Sequence, residues 1–295
     1  MPTTTQSGAD HPKMNHQIDI LLSTFNGAAF LHEQLDSLFA QSFRDWRLIV
    51  RDDGSSDETL AIAEKYSARY PGMIEILTTD TNLGYFGSFM NLLSRSIAPY
   101  VMFCDQDDVW MKEKISISFS VIQQCENLWP NLPVLVHTDL TVVNSRLELV
   151  SKSKWADLRW MPDAYVRDPK SLMVVPLVSG NTCIFNSRAR EVSLEKKETI
   201  YAHDTWVALR TMVSGGRIVN LPFSTILYRR HQKVASGPSR RVGGGYALRI
   251  LLKPWRVVGA WRRDIHAARN AGIKTSWPDF LIRKSFYLCA RYLCY

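Results

Sequence analysis

Four short apolar runs dominate the first 108 residues, at 18–22, 47–50, Ile74–Leu77 and Tyr100–Cys104, and three of them end in polar clusters. The first ends in Ser-Thr-Phe-Asn-Gly, the second in Arg-Asp-Asp-Gly and the fourth in Asp-Gln-Asp-Asp. Short continuous apolar runs read as strands buried on both faces of a parallel sheet. Between the first two, Phe30, Leu31, Leu35, Leu38 and Phe39 recur at helical spacing. Ser55 with Glu58 forms a capping box that opens a second helix through Tyr70, and residues 89–96 make a third. This alternation predicts an α/β fold with a mostly parallel central sheet flanked by helices. Ligands of such sheets bind beyond the carboxyl ends of the strands, so the clusters at 23–27, 51–54 and 105–108 are expected to share one site.

Beyond Trp110 the alternation weakens. Residues 134–136 and 141–143 read as strands around His137-Thr-Asp139, and 151–170 as a loop. Residues 174–178 and 183–185 read as strands about a Ser179-Gly-Asn turn. Residues 191–199 and 205–213 are expected helices, with 218–221 and 224–228 closing the globular part.

Charge divides the chain in two. The 36 Lys and Arg exceed the 28 acidic residues by 8, yet residues 240–295 alone hold 12 Lys/Arg against 2 Asp, a net +10, which leaves −2 for the first 239. Five scattered cysteines without a Cys-x-x-Cys pair suggest neither a disulfide framework nor a zinc ribbon and fit a reducing compartment. Residues 1–17 are polar and read as a disordered lead-in, and no run of 18 uncharged apolar residues occurs. In the tail, Leu248, Leu251, Leu252, Trp255 and Val258 fall on one helical face, with Pro254 expected to kink or split the helix. Such basic amphipathic helices suit either an anionic bilayer surface or the apolar back of their own domain.

The acidic turn Asp105-Gln-Asp107-Asp108 concentrates like charge that a cation or several donors must offset; one carboxylate, Asp108, also suits a helix cap. Mg²⁺ and Mn²⁺ take oxygen ligands and bridge carboxylates to phosphates, so a nucleotide diphosphate is the natural partner. Asp52 and Asp53 lie where a carboxylate accepts from a base or ribose, beside the hydroxyls of Ser23 and Thr24 and the permissive Gly27.

Ser-Thr-Phe-Asn-Gly, Asp-Asp-Gly-Ser-Ser-Asp, Asn82-Leu-Gly and Asp-Gln-Asp-Asp-Val-Trp, in that order, resemble the family 2 glycosyltransferases of GT-A fold. The later His-Thr-Asp139, Ser-Gly180-Asn-Thr, His-Asp204-Thr-Trp206 and Tyr-Arg-Arg-His231 look most like the rhamnosyltransferase group. The resemblance implies a catalytic domain over 18–237, with a nucleotide-sugar half at 18–115, an acceptor half at 116–237 and the basic tail from 238. It implies that Thr24, Asn26, Asp52, Asp53, Asn82 and Asp105 hold the nucleotide, with Arg229 and Arg230 toward the diphosphate. By the same resemblance Asp107, with Asp108 as rival and His231 completing the site, binds Mn²⁺ or Mg²⁺. Asp204 is the general base, and Trp206, Asp139 and Gly180 line the acceptor.

The implied reaction is a single inverting transfer from a dTDP- or UDP-sugar, with dTDP-rhamnose favoured, to a glycan or lipid-linked acceptor in bacterial surface polysaccharide assembly. The Gln-x-x-Arg-Trp motif of the processive synthases is absent. The expected place is the bacterial cytoplasm, peripheral on the inner face of the membrane. Two other readings compete: a nucleic-acid binder using the tail, against which the slightly acidic first 239 residues argue, and a metal-dependent phosphohydrolase.

Overall fold

The computed structural model describes residues 16–77, 81–158, 163, 166–175, 177–195, 202–231 and 254–292. The expected lead-in up to residue 15, the hinge at 240–245 and the tail segment at 246–253 lie outside them. The first half follows the predicted alternation: β1 (Ile18–Thr24), α1 (Ala28–Phe39), β2 (Trp46–Asp52), α2 (Thr59–Arg69), β3 (Ile74–Leu77), α3 (Gly84–Arg95), β4 (Tyr100–Cys104), β5 (Val109–Trp110) and α4 (Lys114–Leu128). The second half adds β6 (Val134–Val143), β7 (Leu149–Ser151), α5 (Lys154–Asp157), α6 (Pro169–Val174), a 3₁₀ turn at Gly180–Thr182 and β8 (Cys183–Asn186). It continues with α7 (Ser187–Leu194), α8 (His203–Val213), β9 (Arg217–Arg229), α9 (Pro254–Ala271) and α10 (Trp277–Tyr292).

The strands form one sheet in the order β3-β2-β1-β4-β8-β6-β9-β5, with β7 on β6. β3, β2, β1 and β4 run as a continuous parallel set and β6 and β9 as a long parallel pair, with β8 antiparallel to both its neighbours between them, so the sheet is mostly parallel as expected. The long pair β6–β9 is parallel and shifts register at Asp139, which curls the sheet beside the acidic turn.

Alternating residues serve two cores. Leu21, Val101 and Phe103 face one core with α3, α6 and α8, whereas Ile20, Leu22, Met102 and Cys104 face the other with α1, α2 and α4. Ile265, Ala268, Phe280 and Tyr287 of α9 and α10 join the first core, so the described tail helices cover the back of the acceptor half. Arg210 Nη1 donates to Ala271 O at 3.0 Å and Lys284 Nζ to Val174 O at 2.9 Å, pinning both helices to the domain. The other side of α10 stays apolar and exposed at Leu281, Ile282 and Phe286. No helix among the described residues is long and apolar enough to cross a membrane.

Several local expectations are corrected. Residues 169–174 are helix where the sequence suggested a loop up to 170 and a strand from 174, because Asp168 accepts from Lys170 N at 2.9 Å and Pro169 occupies the first helical position, where its missing N–H costs nothing. The Ser55–Glu58 capping box does not form: Ser55 Oγ donates to Asp52 Oδ1 at 2.6 Å, and α2 starts at Thr59. The described helix α9 begins at Pro254, and the expected kink or split there falls on residues outside the described ones.

Candidate functional site

The ends of β1, β2 and β4 meet. Gln106 closes the junction: its Oε1 accepts from Phe25 N at 2.9 Å and its Nε2 donates to Phe25 O at 3.0 Å. Gly27 carries no side chain because a Cβ there would run into the Gln106 amide. The three predicted clusters therefore form one surface, and most of their polar atoms hold one another.

Thr24 Oγ1 donates to Asp52 Oδ1 at 2.8 Å, and Ser55 N to Asp52 Oδ2 at 2.8 Å. Asp53 is ion-paired with the buried Arg51 and accepts from Leu83 N at 2.8 Å. Asn82 ties the next loop down through Asp53 O at 2.7 Å, and Asn26, at φ 48°, accepts from Ser56 N at 2.8 Å. These residues build the wall of the expected nucleotide pocket, with Asp52 and Asp53 almost wholly buried.

Within the acidic turn the three carboxylates differ. Asp108 is fully buried, takes the Asn181 amide and accepts from Arg229 N at 3.0 Å; burial and the neighbouring Asp107 charge raise its pKa to about 8. It braces three segments and faces no solvent. Burial, reinforced by Asp108, Asp107 and Asp204, pushes Asp105 well above the usual carboxylate range. Asp107 is left partly exposed, with its Oδ2 2.7 Å from His231 Nε2.

No group of three His, Cys, Asp or Glu side chains is arranged as a cation site among the described residues. The Asp107–His231 pair nevertheless fits a hard divalent cation whose remaining ligands are phosphate oxygens and water, because one accessible carboxylate is how Mg²⁺-type sites are commonly held beside a substrate.

The two arginines before His231 separate. Arg229 is buried over the Phe30 ring, paired with Glu33 and donating to Asp107 O at 2.8 Å and Ser145 O at 2.7 Å, so its guanidinium is held by the protein itself. Arg230 is exposed at the end of β9, with its backbone N–H on Val143 O at 2.8 Å.

Asp204, in the first turn of α8, accepts from Gly180 N at 3.0 Å and from its own neighbour Thr205 N at 2.6 Å. Gly180 has no room for a side chain, since a Cβ would meet the His203 ring. Trp206 is fully buried with Nε1 on Ser193 O at 3.0 Å, so it packs the core and offers no stacking face. Asp139 is likewise buried, holding Ser153 and Trp155 N at the start of α5.

That helix start brings in a residue the sequence reading missed. Lys154 Nζ donates to Ser179 Oγ at 2.8 Å and lies 5.8 Å from the Tyr228 ring centre. Burial lowers its pKa, against the attraction of Asp204 and Asp139. Nothing in the spacing of the 151–170 segment marks it; only the fold brings it to the acidic site.

Residues 19–132 match the family model for glycosyl transferase family 2. This part of the chain is similar to the family 2 glycosyl transferases. The dTDP-rhamnosyl transferase RfbG of Shigella flexneri is 36% identical over 98 residues, 32% of this chain and 34% of that protein. The UDP-Glc:alpha-D-GlcNAc-diphosphoundecaprenol beta-1,3-glucosyltransferase WfgD of Escherichia coli is 25% identical over 108 residues, 37% of this chain and 42% of that protein. The matched segments thus span well under two-thirds of these relatives. Among solved structures, S. aureus TarS 1–349 superposes with a TM-score of 0.57 at 17% identity, covering 94% of this chain and 93% of that one. Mannosyltransferase PcManGT from Pyrobaculum calidifontis, in complex with GDP-Man and Mn²⁺, gives 0.55 at 14% identity, covering 95% and 81%. At these identities the structural likeness is one of fold, and the fold is GT-A.

Proposed function

We propose that the protein is a metal-dependent, inverting glycosyltransferase that adds one sugar per encounter, taking rhamnose from dTDP-rhamnose to a hydroxyl of a glycan or lipid-linked acceptor in bacterial surface polysaccharide synthesis. The observation that carries this is the division of labour among the carboxylates: Asp107 stays accessible beside His231, while Asp204 stands apart at a helix start. The family 2 match and the RfbG relative support transfer and the rhamnosyl donor.

The wall built by Thr24, Asp52, Asp53 and Asn82 orients the nucleotide, and Asp105 lies toward the ribose. Asp107 and His231 would hold the cation, which when bound supplies positive charge for the departing diphosphate. Arg230 adds a second positive charge at that end. Asp204 takes the proton from the acceptor hydroxyl as its oxygen bonds the anomeric carbon, while the bond from that carbon to the diphosphate breaks. Attack opposite the leaving group inverts the anomeric centre.

The tail gives the reading its place. Ile282 and Phe286 project from α10 while Arg262, Arg263 and Arg269 are exposed on α9, a combination suited to the anionic inner face of the cytoplasmic membrane. The test is thermal protection by dTDP-rhamnose, UDP-glucose, UDP-GlcNAc and GDP-mannose, with and without Mn²⁺, followed by product analysis. Protection by dTDP-rhamnose that needs Mn²⁺ is expected. Protection by none of the four, or by duplex DNA instead, overturns the proposal, and donor cleavage that no acceptor accelerates points to a phosphohydrolase.

A further inference from the structure

Lys154 is a residue at the acidic site that neither the motifs nor the mechanism uses, and its placement is over-determined. Asp139 fixes the helix start beneath it twice, through the Ser153 hydroxyl and through Trp155 N at 3.2 Å, while the Trp155 side chain is buried against His137. Ser153 Oγ accepts from Ala156 N at 2.9 Å and caps the turn. The lysine stem therefore leaves a rigid platform, and its amine reaches Ser179 Oγ at 2.8 Å. Ser179 precedes Gly180, whose N–H is the donor to Asp204 Oδ2 at 3.0 Å. A continuous chain of contacts thus runs from the Lys154 ammonium to the carboxylate assigned as base.

The charges run the same way. Asp204, Asp139 and Asp108 attract the Lys154 ammonium and Arg230 opposes it, while Lys154 in turn favours the ionised form of Asp105. Asp105, Asp107, Asp108 and Asp204 gather on this side of the site, and Lys154 is a buried cation that faces them from the acceptor half, while Arg51 and Arg229 pair with Asp53 and Glu33.

The geometry points to Lys154 as a positioning residue of the transfer step: it supplies the counter-charge of Asp204 and holds the Ser179–Gly180 turn that hydrogen-bonds it. The proposal rests on Asp204 being the base. A carboxylate displaced by an ångström or released to another rotamer loses rate without losing the donor, because the nucleotide wall is built on other strands.

The test measures release of nucleoside diphosphate by the full chain with Mn²⁺, from whichever of dTDP-rhamnose, UDP-glucose, UDP-GlcNAc and GDP-mannose protects it best. Lys154→Met, Lys154→Arg, Asp204→Asn and the double variant Lys154→Met/Asp204→Asn are compared. Lys154→Met is expected to lower kcat by about 10- to 100-fold with donor KM within about threefold, and Lys154→Arg to recover most of that loss. The double variant is expected to be no slower than Asp204→Asn alone, since the two side chains act as one unit.

Unchanged kcat in Lys154→Met overturns the proposal, as does a loss confined to KM. A Lys154→Arg variant that folds with the wild-type melting temperature yet is as slow as Lys154→Met also overturns it, and so does a double variant whose losses multiply. If Asp204→Asn keeps full turnover, the base assignment fails and this inference with it; if Asp204→Asn is inactive while Lys154→Met is not, only the inference fails.

Discussion

His231 Nε2 meets Asp107 Oδ2 at 2.7 Å, joining residues 124 positions apart at a carboxylate of the acidic turn that stays partly exposed. The turn's other end carries Asp108, sealed beneath it. Asp107→Ala and His231→Ala are therefore expected to weaken Mn²⁺-dependent thermal protection by the nucleotide sugar, the first more than the second, because a carboxylate ligand brings charge and an imidazole does not. Asp108→Asn should leave the Mn²⁺ titration midpoint nearly unchanged while lowering the melting temperature. A titration shifted by Asp108→Asn and untouched by Asp107→Ala would reverse the assignment.

Arg229 and Arg230 are adjacent in sequence and opposite in role. Arg229→Ala removes the pair with Glu33 and leaves the carbonyls of Asp107 and Ser145 without a donor, a cost of about 2–4 kcal/mol. Arg230→Ala should cost less than about 0.5 kcal/mol in stability, as exposed substitutions do, and weaken donor binding about tenfold through loss of a charge-assisted contact. Urea unfolding and nucleotide-sugar titration on both variants check this, and equal effects on stability would contradict it.

How much of this was legible depends on the kind of information each residue carries. The apolar runs at β1, β2 and β4 declare themselves because burial on both faces demands continuous hydrophobicity, and the polar clusters mark strand ends. Which carboxylate stays accessible is a different matter. Asp52 is saturated by Thr24 and its own loop, Asp53 by Arg51, and Asp108 by Asn181, 73 residues away, and by Arg229, 121 away. Those partners are set by tertiary pairing, so Asp108 and Arg229 read in sequence as ligand-facing, whereas the fold buries both among protein partners. Trp206 fails for a similar reason: a tryptophan beside a proposed base suggests stacking, yet its side of α8 faces the core. Lys154 was invisible because α5 is four residues long and capped by Ser153, too short for any periodicity to show.

His203 gives a pH signature. It is buried between Phe89, stacked at 3.8 Å, and Phe103, edge-on at 4.4 Å, and burial lowers its pKa to about 4. The unfolded chain therefore binds a proton on this imidazole between about pH 6.5 and 4 while the folded one does not, so its contribution to stability is present above pH 6.5 and is lost as pH falls through that window. Asp105 and Asp108, with raised pKa values, act with the opposite sign, so the comparison with a variant isolates the imidazole. His203→Leu is expected to be less stable at pH 7.5 and to lose its disadvantage at pH 4.5. Parallel melting-temperature curves for the two proteins would rule out the buried neutral imidazole as the source.

The tail tests where the protein works. Phe286 is 74% and Ile282 57% exposed on α10, while Phe280 and Tyr287 of the same helix are buried in the domain. The helix therefore already has its core face, and the outward apolar pair adds nothing to folding. Burying a side chain of this size in a bilayer interface contributes about 1.5–3 kcal/mol, and the exposed arginines of α9 add attraction to anionic lipid. Ile282→Glu/Phe286→Glu is expected to leave the melting temperature unchanged and to weaken binding to phosphatidylcholine vesicles containing phosphatidylglycerol by at least tenfold. The wild-type protein should bind those vesicles less well as sodium chloride rises, and should bind vesicles of phosphatidylcholine alone weakly. If the double variant sediments with anionic vesicles as well as wild type does, α10 is not the membrane face, and the +10 charge of residues 240–295 serves another purpose.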